Sequence, residues 1–319
     1  MPYLAVFYFS LLLCAILLLV SRVRPFPVAV FLGYLAIRTA FVLWVGMPQP
    51  IQLQLDKGAA LFLLQMVAYW VLAGLNLRWF FVGAVLLDTL ATILSPGGLL
   101  GNPSINGTFL ACGFCLLCRL PSVWAWFTLA AILLTKASVP VGALAVSLIA
   151  FWIALDKKHL VFVMLAFLSV LFLGAFLVGS GVEAEFFSSS GRFEIWRELV
   201  PRYLSTANIL IGSGGGSYQV LGPLMQSTFK AQWLHFFMHS DWLQVLLEFG
   251  IIGLGMALYL YGRVLISLRE NPELFAVACA LGAGALFNWP MHHPLTALLA
   301  VWVFRESLAK KDAPREHQT

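Results

Sequence analysis

Apolar runs of about twenty residues recur along the whole chain, and no other feature limits its possible folds as strongly. A helix of roughly this length crosses the hydrocarbon layer of a membrane, about 30 Å, with every backbone group bonded inside the helix. The composition agrees, because 61% of the 319 residues are hydrophobic and 10% are charged, against about 25% charged in soluble domains. The sequence therefore predicts an all-α fold, a polytopic transmembrane helix bundle that forms a single domain over residues 1–319.

The spans themselves can be placed from the hydropathy pattern. About 11 candidates follow, at 3–20, 27–46, 59–75, 79–94, 105–118, 122–138, 140–155, 160–179, 242–261, 274–288 and 294–306. The first lacks a basic region before it and a small-residue cleavage site, so we interpret it as a retained helix. With Arg22 and Arg24 in the cytoplasm, Lys and Arg are in excess on the inside, as the positive-inside rule requires. This predicts an outer N-terminus and a cytoplasmic tail at 307–319.

Span 105–118 has an alternative interpretation. It is short and follows a run rich in Gly and Pro, so it could instead form a re-entrant hairpin, which would invert the topology of everything after it. Inversion would place Lys157, Lys158 and the basic tail outside. The charge distribution therefore favours a full crossing.

Charge and composition also bear on ligands. The net charge of +5 does not indicate nucleic acid, because Lys and Arg stand singly at span ends and form no basic stripe. Cys112, Cys115 and Cys118 recur at helical spacing, but no fourth ligand lies near them, so we interpret them as buried small hydrophobes rather than a metal cluster. His292 and His293 are adjacent, a spacing with no special metal geometry. We expect neither nucleic acid nor metal.

Hydropathy falls between Gly179 and Asp241, which predicts one large outer loop at 180–240. Loops of such length are usually functional or disordered. Residues 191–200 have the pattern of an amphipathic helix, with Trp196 on the apolar stripe and charged residues around the rest. This helix would lie along the membrane interface with Trp196 at headgroup depth. A passive cover over the bundle is the alternative.

The glycine-rich run at 211–218 lies in the same loop and admits two interpretations. Glycines let backbone amides approach an anion closely, so the run could cradle a phosphate. It does not match the Walker pattern, because no Lys-Ser or Lys-Thr follows. A flexible turn is the other interpretation.

Polar side chains continue into the ninth predicted span. Asp241, Gln244 and Glu248 share one helix face, because the latter two follow the first at i+3 and i+7. Lipid would not tolerate that face, and an intramembrane Glu is a candidate functional residue, with a helix–helix hydrogen bond as the alternative. His239 precedes this helix, where its imidazole can accept a proton near neutral pH. Two further buried charges, Arg38 and Asp88, could pair with each other.

These motifs together resemble a known family. Gly191-Arg192 with Trp196, the run from Gly212 to Ser217, and the stretch from His239 to Gly250 resemble the signature of the bacterial O-antigen ligase and polymerase superfamily, which also contains protein O-oligosaccharyltransferases. The resemblance covers roughly residues 95–260. Ser240 stands where Asn is common, and the Leu-Thr-x-Ser-Arg motif has lost its Arg, with Lys136 the nearest cation. Eleven spans are also one fewer than the expected twelve.

The resemblance implies a multi-pass enzyme of the bacterial inner membrane that acts at the periplasmic face. It would move a glycan from an undecaprenyl-diphosphate-linked donor to an acceptor hydroxyl, inverting the anomeric centre, without a nucleotide sugar, cofactor or metal. Arg192 would clamp the diphosphate and His239 would act as the general base. Further candidates for substrate binding are Arg197, Arg202, Lys136, Gly214, Ser217, Tyr218, Asp241, Gln244, Glu248 and Arg38.

Two sets of alternatives stay open. A ligase, a polymerase and a protein glycosyltransferase differ only in the acceptor. The acceptors are, respectively, lipid A-core, a second carrier-linked glycan, and a Ser or Thr hydroxyl. An outer loop without an appended domain favours the ligase and the polymerase. A transporter or channel is the alternative of another class, in which Arg38, Asp88 and Glu248 would line a path. Internal repeats and helices broken near mid-bilayer would favour it, but the two halves show no convincing repeat.

Overall fold

The computed structural model describes residues 77–155, 196–197, 200–201, 209–214, 217–218, 238–288, 290 and 293–309. These residues form helices and turns without any β-strand, which confirms the all-α class for this part of the chain. The predicted spans at 3–20, 27–46, 59–75 and 160–179 lie outside the described residues, as does most of the predicted loop at 180–240.

Seven α-helices are described, and each coincides with a predicted span. They are α1 (Arg78–Leu94), α2 (Pro103–Gly113), α3 (Ser122–Leu134), α4 (Ser138–Ala154), α5 (Asp241–Leu268), α6 (Pro272–Phe287) and α7 (Pro294–Ala309). A short 3-10 helix, Gly98–Leu100, precedes α2, and a second one, Phe114–Arg119, continues from its end. The chain divides into two compact units, the first made of Met1–Val71 and Gly191–Arg263 and the second of Leu72–Ser190 and Val264–Thr319.

In the second unit, two helices begin at the same local signal. The side chain of Asn102 accepts hydrogen bonds from the amides of Ser104 and Ile105 at 3.0 and 3.2 Å, and Pro103 opens α2. Asn271 likewise accepts from the amide of Leu274 at 3.3 Å, just before Pro272 opens α6. Asn caps the first turn, and proline has no N–H that would need an acceptor there, so the Asn-Pro pair predicts both helix starts from the sequence.

The segment from Pro103 to Arg119 runs alongside α6 over most of its length. At one end, the Asn288 amide that follows α6 donates to the hydroxyls of Ser104 and Thr108, both at 3.2 Å. At the other end, Cys115 packs against Ala276, close to the start of α6. The segment therefore lies antiparallel to α6 and does not turn back on itself as a hairpin would.

Helix α5 is not one continuous rod. Gly250 has φ 69° and ψ −172°, so the chain breaks into a short arm, 241–249, and a long arm, 251–268. The rings of Trp242 and Tyr261 meet edge to face at 5.4 Å, although an uninterrupted helix would separate these residues by about 28 Å. The two arms thus fold back toward each other, so the predicted span at 242–261 contains a helix break that its hydropathy does not show. Within the described residues, α5 alone has the length and apolar composition of a membrane span, and Gly250 is its one residue with non-helical backbone angles.

Candidate functional site

The candidate site lies in the first unit, where residues 209–214 pack against the break in α5. We call residues 209–214 the docking segment. The amides of Ile251 and Ile252 donate to the carbonyls of Ile209 and Leu210 at 2.9 and 3.1 Å, and the amides of Ser213 and Gly214 donate to the carbonyls of Leu247 and Glu248 at 3.2 and 2.6 Å. A helix break frees backbone groups that must find partners when buried. The docking segment supplies partners for four of them.

Two glycines make this close approach possible. A Cβ on Gly212 would lie 2.4 Å from the carbonyl of Glu248, and a Cβ on Gly250 would lie 2.3 Å from the carbonyl of Leu210. Both glycines also have positive φ, which L side chains rarely adopt. The docking segment therefore requires a glycine at position 212, where the backbone of α5 passes. The helix break requires one at position 250, where the backbone of the docking segment passes.

These contacts bear on whether the glycine-rich run at 211–218 can bind a phosphate. Four of its amides donate to protein acceptors. The amides of Ser213 and Gly214 donate to carbonyls of α5, that of Ser217 to the carbonyl of Gly214 at 3.2 Å, and that of Tyr218 to the carboxylate of Glu248 at 3.2 Å. Those amides cannot also hold a phosphate. The same bonds hold the described part of the run against α5.

The polar face of the short arm is buried, as its spacing predicts. Asp241, Gln244 and Glu248 are only 6%, 3% and 4% exposed. The Oε1 atom of Glu248 accepts from the Tyr218 amide and, at 3.1 Å, from the Gln244 side-chain amide. Ser217 and Tyr218 are fully buried beside it. Glu248 therefore links the glycine-rich run to the short arm.

His239 lies at the entry to the short arm in a strained backbone conformation. Its φ is 53°, in the left-handed region, which costs a non-glycine residue about 1–2 kcal/mol. On one side the carbonyl of Met238 accepts from the indole N–H of Trp196 at 2.6 Å. On the other side the Ser240 hydroxyl accepts from the Leu243 amide at 3.3 Å. Ser is a good helix cap, so Ser240 caps the first turn of the short arm.

The sequence did not reveal the role of Trp196. The predicted headgroup depth of its indole is not tested by the structure, which shows the indole N–H bonded to the backbone next to His239. Its neighbour Arg197 is helical and exposed, in keeping with the polar side of the predicted helix. No sequence pattern could have shown this bond, because it joins residues 42 positions apart.

Lys136 lies in the second unit, at the turn between α3 and α4. It is exposed and has φ 51°, again in the left-handed region. Among the described non-glycine residues, Lys136 and His239 alone have positive φ. Backbone strain of this kind concentrates at functional sites.

Three predicted site residues, Arg38, Arg192 and Arg202, lie outside the described residues. The expected ion pair between Arg38 and Asp88 is therefore untested, but Asp88 has partners of its own in the second unit. Its Oδ1 accepts from the Leu99 amide at 2.8 Å, and the Asn106 amide, oriented to satisfy both groups, donates to the two carboxylate oxygens at 2.7 and 2.8 Å. Asp88 thus anchors the turn that precedes α2.

Nothing in the described residues assembles a metal centre. No group of three or more His, Cys, Asp or Glu side chains in this part of the chain could hold an ion. Cys112 and Cys115 are buried, as expected of small hydrophobes, and Cys115 lies 3.2 Å from the hydroxyl of Ser147. Burial lowers the pKa of His293, and His292 lies outside the described residues.

Comparison with known proteins bears on this site directly. Residues 123–258 match the family model of the O-antigen ligases. This segment is O-antigen ligase-like. No curated protein matches the chain. The matched segment contains Lys136, the docking segment and His239, and it ends within the long arm of α5. The match confirms the resemblance to the O-antigen ligase and polymerase superfamily, and it supports a glycosyl-transfer enzyme of a membrane protein class.

Proposed function

We propose that this protein is a periplasm-facing membrane glycosyltransferase of the O-antigen ligase or polymerase type. One structural observation supports the site assignment. The two described non-glycine residues with left-handed backbone are His239 and Lys136, both candidates from the sequence alone. Such strain persists only when the surrounding structure enforces it.

In the proposed reaction, His239 acts as the general base. Its imidazole takes the proton of the acceptor hydroxyl as the hydroxyl oxygen attacks the anomeric carbon of the donor glycan. The bond from that carbon to the diphosphate oxygen breaks, and its electron pair leaves with the undecaprenyl diphosphate. Direct displacement inverts the anomeric centre. Assistance by a positioned base is typically worth about 10²–10⁴ in rate.

The leaving diphosphate gains negative charge and needs fixed cations. Arg192 is the proposed clamp, because a guanidinium can grip two phosphate oxygens at once. Lys136, Arg197 and Arg202 are further cations for the diphosphate or the glycan. As the resemblance implies, the chain would itself supply the stabilising charges without a nucleotide sugar or metal.

The buried polar residues form a frame for this chemistry. Glu248 holds the Tyr218 amide and the Gln244 side chain, and Gly214 bonds to the carbonyl of Glu248. These contacts support an indirect role in substrate binding, in which Gly214, Ser217 and Tyr218 fix the loop beside the short arm. Asp241 and Gln244 lie on the short arm just after His239 and are candidates for direct contact with glycan hydroxyls.

Among the described residues, the break in α5 is a feature that favours a transporter, since transporters bind ions at broken helices. In those sites, unwound carbonyls face the ion. Here the carbonyls of Leu247 and Glu248 accept from the docking segment instead. The break therefore supports a packed catalytic loop better than an ion path.

Reconstitution tests the proposal. The purified full chain in lipid vesicles, given an undecaprenyl-diphosphate-linked oligosaccharide, should transfer the glycan to lipid A-core or to a second carrier-linked glycan. A deletion strain separates the acceptors, since surface ladders that collapse to one repeat indicate a polymerase and complete loss of capped core indicates a ligase. Transfer to a protein Ser or Thr would identify the protein glycosyltransferase alternative. No transfer to any of the three would overturn the proposal.

A further inference from the structure

We propose that Trp196 is a positioning residue for His239, holding it through the backbone in the conformation that the proposed reaction uses. The inference rests on the proposed role of His239 as the base. The observation behind it is the hydrogen bond from the Trp196 indole to the Met238 carbonyl at 2.6 Å.

The bonded carbonyl belongs to the peptide group that joins Met238 to His239. The φ angle of His239 measures the rotation of this peptide plane about the N–Cα bond of His239. Met238 is fully buried, so its carbonyl needs a protein donor. A donor fixed on the indole ring therefore fixes the plane, and with it the φ of 53°.

The other side of His239 is anchored independently. Ser240 starts the short arm, with its carbonyl accepting from the Gln244 amide at 2.9 Å and its hydroxyl from the Leu243 amide at 3.3 Å. His239 and Ser240 thus lie between two anchored peptide groups, the one that joins residues 238 and 239 and the one that joins residues 240 and 241. Without the Trp196 bond, one anchor is lost and His239 can relax toward ordinary negative φ.

Tryptophan suits this task because its indole N–H is a donor only, carried on a large apolar ring. A displacement of about 1 Å can cost about 100-fold in rate.

The test is Trp196→Phe, which keeps an aromatic ring and removes the donor. We expect turnover to fall on the order of 10- to 100-fold, with affinity for the carrier-linked donor unchanged. Hydrogen exchange of the backbone amides at 238–243 should become faster. Trp302→Phe is the matched control, because Trp302 is 2% exposed and its indole N–H has no acceptor within the described part of the chain. That variant should match wild type in turnover and in exchange at 238–243.

A double-mutant cycle separates positioning from general structural damage. In a His239→Gln background, Trp196→Phe should not lower the residual rate further, because the base it positions is gone. Equal loss in both backgrounds, or wild-type turnover by Trp196→Phe, would overturn the inference. The exchange measurement does not depend on activity. Unchanged exchange at 238–243 in Trp196→Phe would reject the anchoring bond. Absence of glycan transfer by the wild-type protein would instead reject the proposed function.

Discussion

The backbone amide of Tyr218 donates to the carboxylate of Glu248 at 3.2 Å, across thirty positions of sequence. Both residues are buried, and the same carboxylate oxygen also accepts from Gln244. This one side chain joins the glycine-rich run to the helix that follows His239. Its removal should therefore affect the whole candidate site.

Glu248→Leu should destabilise the protein more than Glu248→Gln. Leucine leaves the Tyr218 amide and the Gln244 side chain without their acceptor, at about 1–3 kcal/mol for each buried group. Glutamine keeps an oxygen that can accept both bonds. Thermal unfolding in detergent measures the difference, and equal stability of the two variants would show that these bonds contribute nothing.

Gly250→Ala and Gly212→Ala should each prevent the docking segment from packing. Their new methyl groups would meet backbone carbonyls at 2.3 and 2.4 Å, at positions with positive φ. Gly255→Ala is the matched control in the long arm of α5, because a Cβ there meets nothing within 4 Å. Alanine at that position should stabilise the helix by up to about 1 kcal/mol. Monodisperse yield and melting temperature provide the readout; normal folding of Gly250→Ala would contradict the packing.

Arg192→Lys should lose most transfer activity while expression and membrane insertion persist. Lysine keeps the charge but lacks the planar fork that grips two phosphate oxygens. Transfer rates of the purified variant, beside Arg269→Lys as the control on an exposed arginine with no proposed role, measure the effect. A nearly active Arg192→Lys protein would mean that Arg192 is not a bidentate clamp.

His239→Ala should lower turnover by about 10²–10⁴, or roughly 3–5 kcal/mol of barrier, while carrier affinity is preserved. The wild-type rate should fall in acid, because a protonated imidazole cannot accept the acceptor proton. Donor binding and turnover are measured separately across pH. If His239→Gln turned over normally with no acid limb, the base would have to be another residue, with Asp241 and Glu248 the next candidates.

Lys136→Gly should separate stability from activity. Glycine removes the left-handed strain of about 1–2 kcal/mol, offset in part by its own entropic cost of roughly 0.5–1 kcal/mol, so the melting temperature should not fall. Transfer should fall, because the cation is lost. Lys136→Arg, which keeps a charge, is the control. Full activity in Lys136→Gly would remove Lys136 from the site.

The sequence alone determined the seven described helices and several of their starts. Apolar runs report burial locally, and the Asn-Pro pairs at 102–103 and 271–272 cap the helices that follow them. The sequence also selected His239 and Lys136, because the motif resemblance is carried by the order of residues along the chain. The shared face of Asp241, Gln244 and Glu248 followed from helical spacing alone.

Only the tertiary structure decided how these parts meet. Hydropathy shows a continuous apolar run across 242–261, so it cannot reveal that Gly250 turns the chain back. The break is stable because a docking segment some forty residues earlier supplies the missing backbone partners. The bonds from Trp196 to Met238 and from Tyr218 to Glu248 likewise join residues 42 and 30 positions apart. Local pattern encodes burial and helix ends, whereas the choice of a distant hydrogen-bond partner depends on packing of the whole unit.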